Sequence, residues 1–365
     1  MAAATGAANA PMRSESQAGE VEALLKSMPS LSAAEVVRKM REHSIDGAVQ
    51  EHGCAALSAA AAGGGLEPVV KAEGHKAAIE AMKMHPETAA VQEQGCRLLQ
   101  LLSAQPPAQQ AELTSAGTVG AVIKAMQGHK HVEGVQDQGC AVIHNLATNH
   151  PGNKVKVASL KGIEAVLKAM DAHPASESVQ EHACWALQIL VPNPANQDKI
   201  ASCGGISRIT KAMKNHKEVL QVQKHGCRAL ANLAYGHPAN QDLIARKGAI
   251  EVVLEAMSGY GQATAVQQCG SHALKNFMSN HAENRARVME LGGHRAVLEG
   301  MRANLEDSAV QEQGCWALSE LVAGFQAGKT AVQSLSAGAV AQQAMDRHKD
   351  VSAVVKAANE LLSVL

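Results

Sequence analysis

The chain has 365 residues, enough for two or three domains or one repeat array, and its 2% aromatic content favours an array with an aliphatic core. Its 33 basic and 34 acidic residues nearly cancel, which argues against general attraction to nucleic acids or anionic membranes. Eight cysteines in so long a chain are not a small disulfide scaffold. Most lie in helical segments, so we expect reduced thiols and a cytoplasmic or nuclear location.

The N-terminal stretch predicts a disordered tail at residues 1–20, followed by a single solenoid at 21–365. It has no basic stretch leading into an apolar run, so we expect no secretory signal. Ala2 stands where N-myristoylation requires glycine. No apolar run reaches the length of a membrane helix.

A valine-led segment then recurs every 42 to 44 residues, as in VQEHGCAAL from Val49 and VQEQGCWAL from Val310. The leading valines are Val49, Val91, Val135, Val179, Val222, Val266, Val310 and, in a degenerate copy, Val354. A methionine precedes each valine by nine residues: Met40, Met82, Met126, Met170, Met213, Met257, Met301 and Met345. This regularity predicts a repeat protein.

The sequence of each repeat predicts three helices. The valine-led helix is followed by a Pro- and Asn-containing turn, where Asn196, Asn240 and Asn284 are placed to cap a short second helix. Glycines such as Gly204 and Gly248 end that helix, and a third helix runs to the methionine. The pattern predicts an all-α fold.

The segments VQEQGCWAL, PANQDLI and KGAIEVVLEAM resemble the armadillo repeat. The wording VQEQGC is similar to the armadillo stretches of leucine-rich-repeat kinases and of related algal and protist repeat proteins. The resemblance covers residues 31–365 and implies a right-handed armadillo α-solenoid of about 7.5 three-helix repeats. Armadillo arrays serve many unrelated partners, so the resemblance says less about function.

Counting the valine as position 0, positions 0, 4, 8 and 11 form one helix stripe, which we expect in the core. The small residue at position 4 is expected to let adjacent helices approach. The glutamine at position 1 is expected to satisfy loop backbone groups, since an unpaired buried amide costs about 1–3 kcal/mol. The cysteine at position 5 is interpreted as a buried thiol and not a metal ligand, because residues two apart, such as His182 and Cys184, point to different faces.

A histidine follows the methionine by three residues in six repeats, with Tyr260 and Asn304 in the other two places. We interpret this residue as a helix cap that packs the loop, in preference to a pH sensor.

Positions 3, 6 and 10 fall on the opposite stripe, and positions 6 and 10 vary between repeats. The resemblance implies that this stripe lines a concave groove. We expect an extended segment of a partner protein to bind there, with Asn side chains holding its backbone and Trp or Arg acting as anchors. The candidate residues are Gln94, Arg97, Asn145, His182, Trp185, His225, Arg228, Asn232, His272, Asn276, Gln313 and Trp316.

Nuclear import adaptors resemble this fold and read basic peptides with Trp and Asn four residues apart. Here Ile189 follows Trp185 and Glu320 follows Trp316, which breaks that pairing. With Arg228 on this face, an acidic or mixed partner is preferred over a basic one. A transport-type adaptor and a regulatory module of a kinase-linked pathway remain alternatives.

The segment AGFQAGKT at 323–330 fits a loose phosphate-loop pattern. Nucleotide binding is therefore the alternative to a protein-interaction function. A working phosphate loop follows a β-strand, whereas this segment follows a predicted helix. We predict no catalytic, cofactor or metal site. We also expect no nucleic-acid binding, because the net charge is near zero and the groove has few aromatic or basic residues.

The last segment, VVKAANELLSVL, lacks the Gln, Gly and Cys of the other copies and carries Leu362 and Leu365 where a polar cap is expected. Homo-oligomerisation through this helix is therefore a hypothesis.

Overall fold

The computed structural model describes residues 15–104 and 107–365, which form α-helices, one short 3₁₀ helix and no strand. The all-α prediction is confirmed. Two compact units divide the chain, Met1–Gly128 and His129–Leu365, and the boundary falls at the turn between two repeats. None of the described helices combines the length and apolar character that a membrane crossing requires.

The first unit contains two three-helix repeats preceded by a partial one. Its helices are α1 (Glu15–Ser27), the 3₁₀ helix (Met28–Ser30), α2 (Ala33–Glu42), α3 (Gly47–Ala62), α4 (Leu66–Lys71), α5 (Gly74–Met84), α6 (Ala89–Ser103), α7 (Pro107–Ala116) and α8 (Thr118–Gly128). Because α1 begins at Glu15, the predicted tail boundary at residue 20 falls inside a helix and is wrong. Residues 1–14 of that tail lie outside the described residues.

The second unit contains five three-helix repeats and a final helix. Its helices are α9 (Glu133–Ala147), α10 (Pro151–Ser159), α11 (Gly162–Ala172), α12 (Glu177–Leu190), α13 (Pro194–Ser202), α14 (Gly205–Asn215), α15 (Leu220–Ala234), α16 (Pro238–Arg246), α17 (Ala249–Gly259), α18 (Thr264–Met278), α19 (Ala282–Glu290), α20 (Gly293–Ala303), α21 (Ser308–Val322), α22 (Gln326–Ser334), α23 (Ala337–Arg347) and α24 (Ser352–Val364). The valine-led helices α9, α12, α15, α18, α21 and α24 pack successively against one another.

The position-1 glutamines donate hydrogen bonds to backbone carbonyls where the preceding helix ends, as predicted. The amide nitrogen of Gln311 donates to the carbonyls of Met301 at 2.8 Å and Asn304 at 2.9 Å. Gln223 makes the same pair of bonds to Met213 and His216. Each glutamine is buried and satisfies the last carbonyls of the preceding helix, which would otherwise lack partners.

The position-4 glycine makes room for the methionine of the helix that precedes it, so the expected close approach of adjacent helices is confirmed. A Cβ built on Gly314 would lie 2.5 Å from Cγ of Met301, and one on Gly226 would lie equally close to Met213. The recurrence of methionine and glycine at a fixed spacing therefore has one steric cause. In the fourth copy the position is occupied by Ala183, which is fully buried.

The residue three places after the methionine ties neighbouring repeats together. Nε2 of His216 lies 2.9 Å from the carbonyl oxygen of Pro174, and Nε2 of His348 lies 2.8 Å from that of Leu305. Asn304 donates its amide to Gly261 in the equivalent way. The capping interpretation is confirmed, and the bond to the preceding repeat is an addition that the sequence did not indicate.

The residues that cap the short helices lie three positions before the predicted asparagines. The side chain of Asn193, and not Asn196, accepts the backbone N–H at the start of α13, and His237 does the same for α16. Asn240 lies inside α16 and donates its amide to the carbonyl of Leu233 at 2.8 Å. Proline after the capping residue fixes where the helix begins, so the asparagine faces inward.

The recurring cysteines are buried, as predicted. Burial raises the pKa of the Cys184 and Cys315 thiols to about 12, so these side chains act as small apolar groups. Among the described residues, no three His, Cys, Asp or Glu side chains converge as metal ligands would.

Candidate functional site

The predicted partner-binding residues are divided between the two units. Gln94 and Arg97 lie on α6 of the first unit, where Gln94 is half-buried and Arg97 is exposed. The other ten lie on α9, α12, α15, α18 and α21 of the second unit. We call this second set, with its neighbouring side chains on the same five helices, the variable face.

Trp185 is the centre of a stack of aromatic rings on the variable face. Its ring centroid lies 3.9 Å from that of His144 and 4.5 Å from that of His225, with 11° between planes in both pairs. His182 continues the stack, 5.7 Å from His144. The rings come from α9, α12 and α15, so the stack joins three repeats.

The two imidazoles that sandwich Trp185 are neutral at pH 7. Burial is the main cause that lowers the pKa of His144 and of His225 to about 3, and neighbouring positive charge adds to it. The Gln188 side-chain oxygen accepts a 2.8 Å hydrogen bond from Nδ1 of His225. Within the described part of the chain, Nε2 of His225 is buried without a hydrogen-bond partner.

Both ring faces of Trp185 are therefore covered by side chains of this protein. The half-buried indole offers only its edge to a ligand. Trp185 was predicted as an anchor for a partner, and in this geometry it is also a structural element. His144, at position 9 of its helix, was missed because the prediction used positions 3, 6 and 10.

Arg228 and His272 form a second pair, on α15 and α18. A terminal guanidinium nitrogen of Arg228 lies 3.2 Å from Nδ1 of His272. Because the guanidinium can only donate, Nδ1 accepts, which requires a neutral imidazole. Burial first, and then the charges of Arg228 and Lys275, lower the pKa of His272 to about 4.

The asparagines on this face hold neighbouring helices. Nδ2 of Asn232 donates to the Gln188 carbonyl at 3.2 Å, and Nδ2 of Asn276 donates to the Ala231 carbonyl at 2.9 Å. Asn276 is only 2% exposed, so it cannot hold a partner's backbone in this geometry. Asn145 and Asn232 are half-buried and stay candidates for that role.

Two lysine ammonium groups lie over the ring of Trp316. The ammonium of Lys275 is 5.9 Å from its ring centroid, and that of Lys356 is 6.0 Å. Such cation–π contacts are worth about 0.5–1 kcal/mol at exposed sites. Neither lysine was predicted. Nearby, the side-chain oxygen of Gln313 is buried and lacks a partner among the described residues.

The phosphate-loop pattern has the wrong structural context. It follows α21 and not a strand, and Lys329 and Thr330 lie within α22. The Thr330 hydroxyl donates to the Gln326 carbonyl of the same helix at 3.2 Å. A phosphate loop presents a free run of backbone N–H groups, which a continuous helix does not.

Comparisons with known proteins agree with this geometry. Residues 196–365 match a family model described as "LRRK2 ARM repeat". No curated protein matches the sequence.

Solved structures match over most of the chain. A structure that concerns a conserved phosphorylation switch controlling the interaction between cadherin and beta-catenin has a TM-score of 0.75 at 16% identity. The match covers 97% of this chain and 69% of that one. An engineered protein has a TM-score of 0.68 at 20% identity, covering 97% and 96%. A designed armadillo repeat protein in complex with peptide (KR)4 has a TM-score of 0.56 at 21% identity, covering 67% and 98%. At these identities the similarity shows the fold, and the predicted armadillo-type solenoid is confirmed.

Proposed function

We propose that this armadillo-repeat chain is a non-enzymatic protein-interaction scaffold that binds an extended segment of a partner protein on the variable face. The observation that carries the proposal is a positive charge on that face that is not paired with a carboxylate. Some other arginines of the second unit pair with carboxylates of the preceding repeat, as in Arg208–Asp171 and Arg287–Glu251. Arg228 has no carboxylate partner among the described residues.

The repeat framework supports the same proposal. Gln, Gly and Cys recur at positions 1, 4 and 5, where they hold the repeat together, whereas the residues at positions 6 and 10 vary along the array. A surface that varies while its support is constant is suited to recognising one particular partner. The designed armadillo repeat protein in complex with peptide (KR)4 supports the proposal, because its fold accommodates such a ligand.

A regulatory role in a kinase-linked pathway is the second candidate. It is favoured by the match of residues 196–365 to the LRRK2 armadillo family model. That match concerns the repeats alone, so we propose the role without naming a substrate.

The transport-type adaptor is less well supported. The sequence breaks the Trp–Asn pairing of such adaptors. In addition, both ring faces of Trp185 are covered, so no flat indole surface is open to a ligand at that helix. Nucleotide binding at 323–330 is not proposed further, because residues 326–330 of that segment belong to α22 and the segment follows a helix and not a strand.

We keep a cytoplasmic location, with the nucleus as an alternative, because all eight cysteines are free thiols. Homo-oligomerisation through α24 also remains a proposal. Leu362 on that helix and Leu365 directly after it are both half-buried.

Site-specific photo-crosslinking of the full chain tests the scaffold proposal. A photoreactive phenylalanine would replace Ile189, which is half-buried on α12, or Lys211, which is exposed on α14 away from the variable face. We expect crosslinks from position 189 to one contiguous stretch of a partner, identified by mass spectrometry, and none to that stretch from position 211. Equal crosslinking from both positions, or none from position 189, would overturn the proposal.

A further inference from the structure

The centre of the variable face has a charge pattern that its neighbours lack. Helices α15 and α18 contain no Asp or Glu, and they carry Lys224, Arg228 and Lys275. We call these three residues the basic centre. The flanking helices are acidic, with Glu181 on α12 and Glu312 and Glu320 on α21.

None of the three cations has an ion-pair partner among the described residues. Arg228 contacts the neutral His272, Lys275 lies over the Trp316 ring, and Lys224 reaches only the side-chain oxygen of Gln221, at 3.5 Å. All three are half-buried, so salt and water screen them less than fully exposed lysines. Unpaired charge in such a position is stabilised when a ligand supplies the counter-charge.

Arg228 is also oriented for a carboxylate. One terminal nitrogen is engaged by His272, which leaves most of the five N–H donors of its planar fork unassigned. A guanidinium binds a carboxylate through two parallel hydrogen bonds, which gives direction as well as strength. The neutral His272 fixes one edge of the fork without cancelling its charge.

We propose that the basic centre binds the carboxylates of a short acidic motif within the extended partner segment. This rests on the proposed function and names the chemistry of its ligand. Packed helix axes lie about 8–10 Å apart. Alternate residues of an extended chain are about 6.6–6.8 Å apart on one side. Two acidic residues separated by one residue therefore match the step from α15 to α18, within the reach of flexible side chains.

The same pattern argues against a continuous polyanion such as a nucleic acid. A long phosphate backbone would meet Glu181 at one end of the basic centre and Glu320 at the other. Binding of single strands also relies on open aromatic faces for base stacking. Here His144 and His225 cover both faces of Trp185, and the ammonium groups of Lys275 and Lys356 lie over the ring of Trp316.

The test uses the full chain and three fluorescent probes: a neutral twelve-residue peptide with a central Glu-Ala-Glu, the same peptide with Gln-Ala-Gln, and a twelve-nucleotide oligothymidine. Fluorescence anisotropy at low salt should give the Glu peptide at least about tenfold tighter binding than the Gln peptide, with the difference shrinking in 0.5 M salt, where the Debye length falls to about 4 Å. Arg228→Gln and Lys275→Gln should each weaken binding of the Glu peptide about tenfold. Lys211→Gln removes the same charge from the exposed outer surface and should leave binding unchanged.

Equal affinity for the two peptides, or equal effects of Arg228→Gln and Lys211→Gln, would overturn the inference, as would tighter binding of the oligothymidine. Thermal unfolding of each variant checks that binding is compared between folded proteins. If the peptides bind equally while position 189 still crosslinks to one partner segment, the acidic motif is wrong and the scaffold function stands. If position 189 gives no crosslink, the scaffold function itself fails.

Discussion

The imidazole of His144 and the indole of Trp185 lie face to face, with ring centroids 3.9 Å apart and planes 11° from parallel. His225 covers the opposite face of the indole. A residue that the sequence presents as an exposed anchor is therefore also a packing element that joins three repeats. Stability and binding must be measured together for any variant at this position.

Trp185→Ala should destabilise the protein by roughly 3 kcal/mol, because it removes a large ring from between two others. Trp316→Ala is the matched control, since Trp316 contacts two lysine ammonium groups instead of two rings, and it should cost roughly 1 kcal/mol. Urea unfolding followed by circular dichroism gives both values. A smaller loss for Trp185→Ala than for Trp316→Ala would mean that the stack contributes little.

Gln311→Leu should destabilise the protein by about 1–3 kcal/mol, because the carbonyls of Met301 and Asn304 lose their donor. The unpaired side-chain oxygen of Gln311 disappears as well, which offsets part of the cost. Gln326→Leu, at an exposed position of α22, serves as the control. The two substitutions having the same effect on the unfolding midpoint would contradict this role of the glutamine.

Gly314→Ala should cost about 1–3 kcal/mol through overpacking, because the new methyl group would lie 2.5 Å from Cγ of Met301. The clash should be relieved by shortening the methionine. In a double-mutant cycle, Met301→Ala should therefore be much less destabilising in the Gly314→Ala background than in the wild type. Additive effects would show that the two side chains do not compete for the same space.

Stability should fall as pH decreases below about 6.5, partly through His144 and His225. Their pKa in the folded protein is lowered to about 3, so between pH 6.5 and 3 the unfolded chain binds more protons than the folded one. Each group thus favours unfolding on acidification, and full stability is reached only above the unfolded pKa. His225→Gln should reduce the slope of unfolding free energy against pH, measured from pH 7 to pH 4. An unchanged slope would assign the acid sensitivity to other groups.

The sequence was sufficient for features that depend on one repeat. The periods of valine and methionine predicted the three helices, and the position-1 glutamine and position-5 cysteine behave as expected, because each acts within a few turns of its own chain. Asn196 was misplaced as a cap because Pro194, two residues earlier, starts the helix directly after the capping residue Asn193.

The binding face was less predictable, because its chemistry arises between repeats. His144 and Trp185 are 41 residues apart, and nothing in either helix alone indicates that their rings meet. The same applies to Lys356, which reaches Trp316 from the last helix. Helix periodicity gives the direction of a side chain, and the partner it meets depends on rotamers and on the packing of the next repeat.

The hydrogen bonds between the ends of neighbouring repeats determine how the second unit responds to force. His173, His216, Asn304 and His348 each bond to a carbonyl of the preceding repeat, whereas the Tyr260 phenol has no such bond among the described residues. A series of coupled units yields first at its softest link. When the second unit is stretched along the order of its repeats, we expect α17 to part from α14 before any other pair of these helices separates.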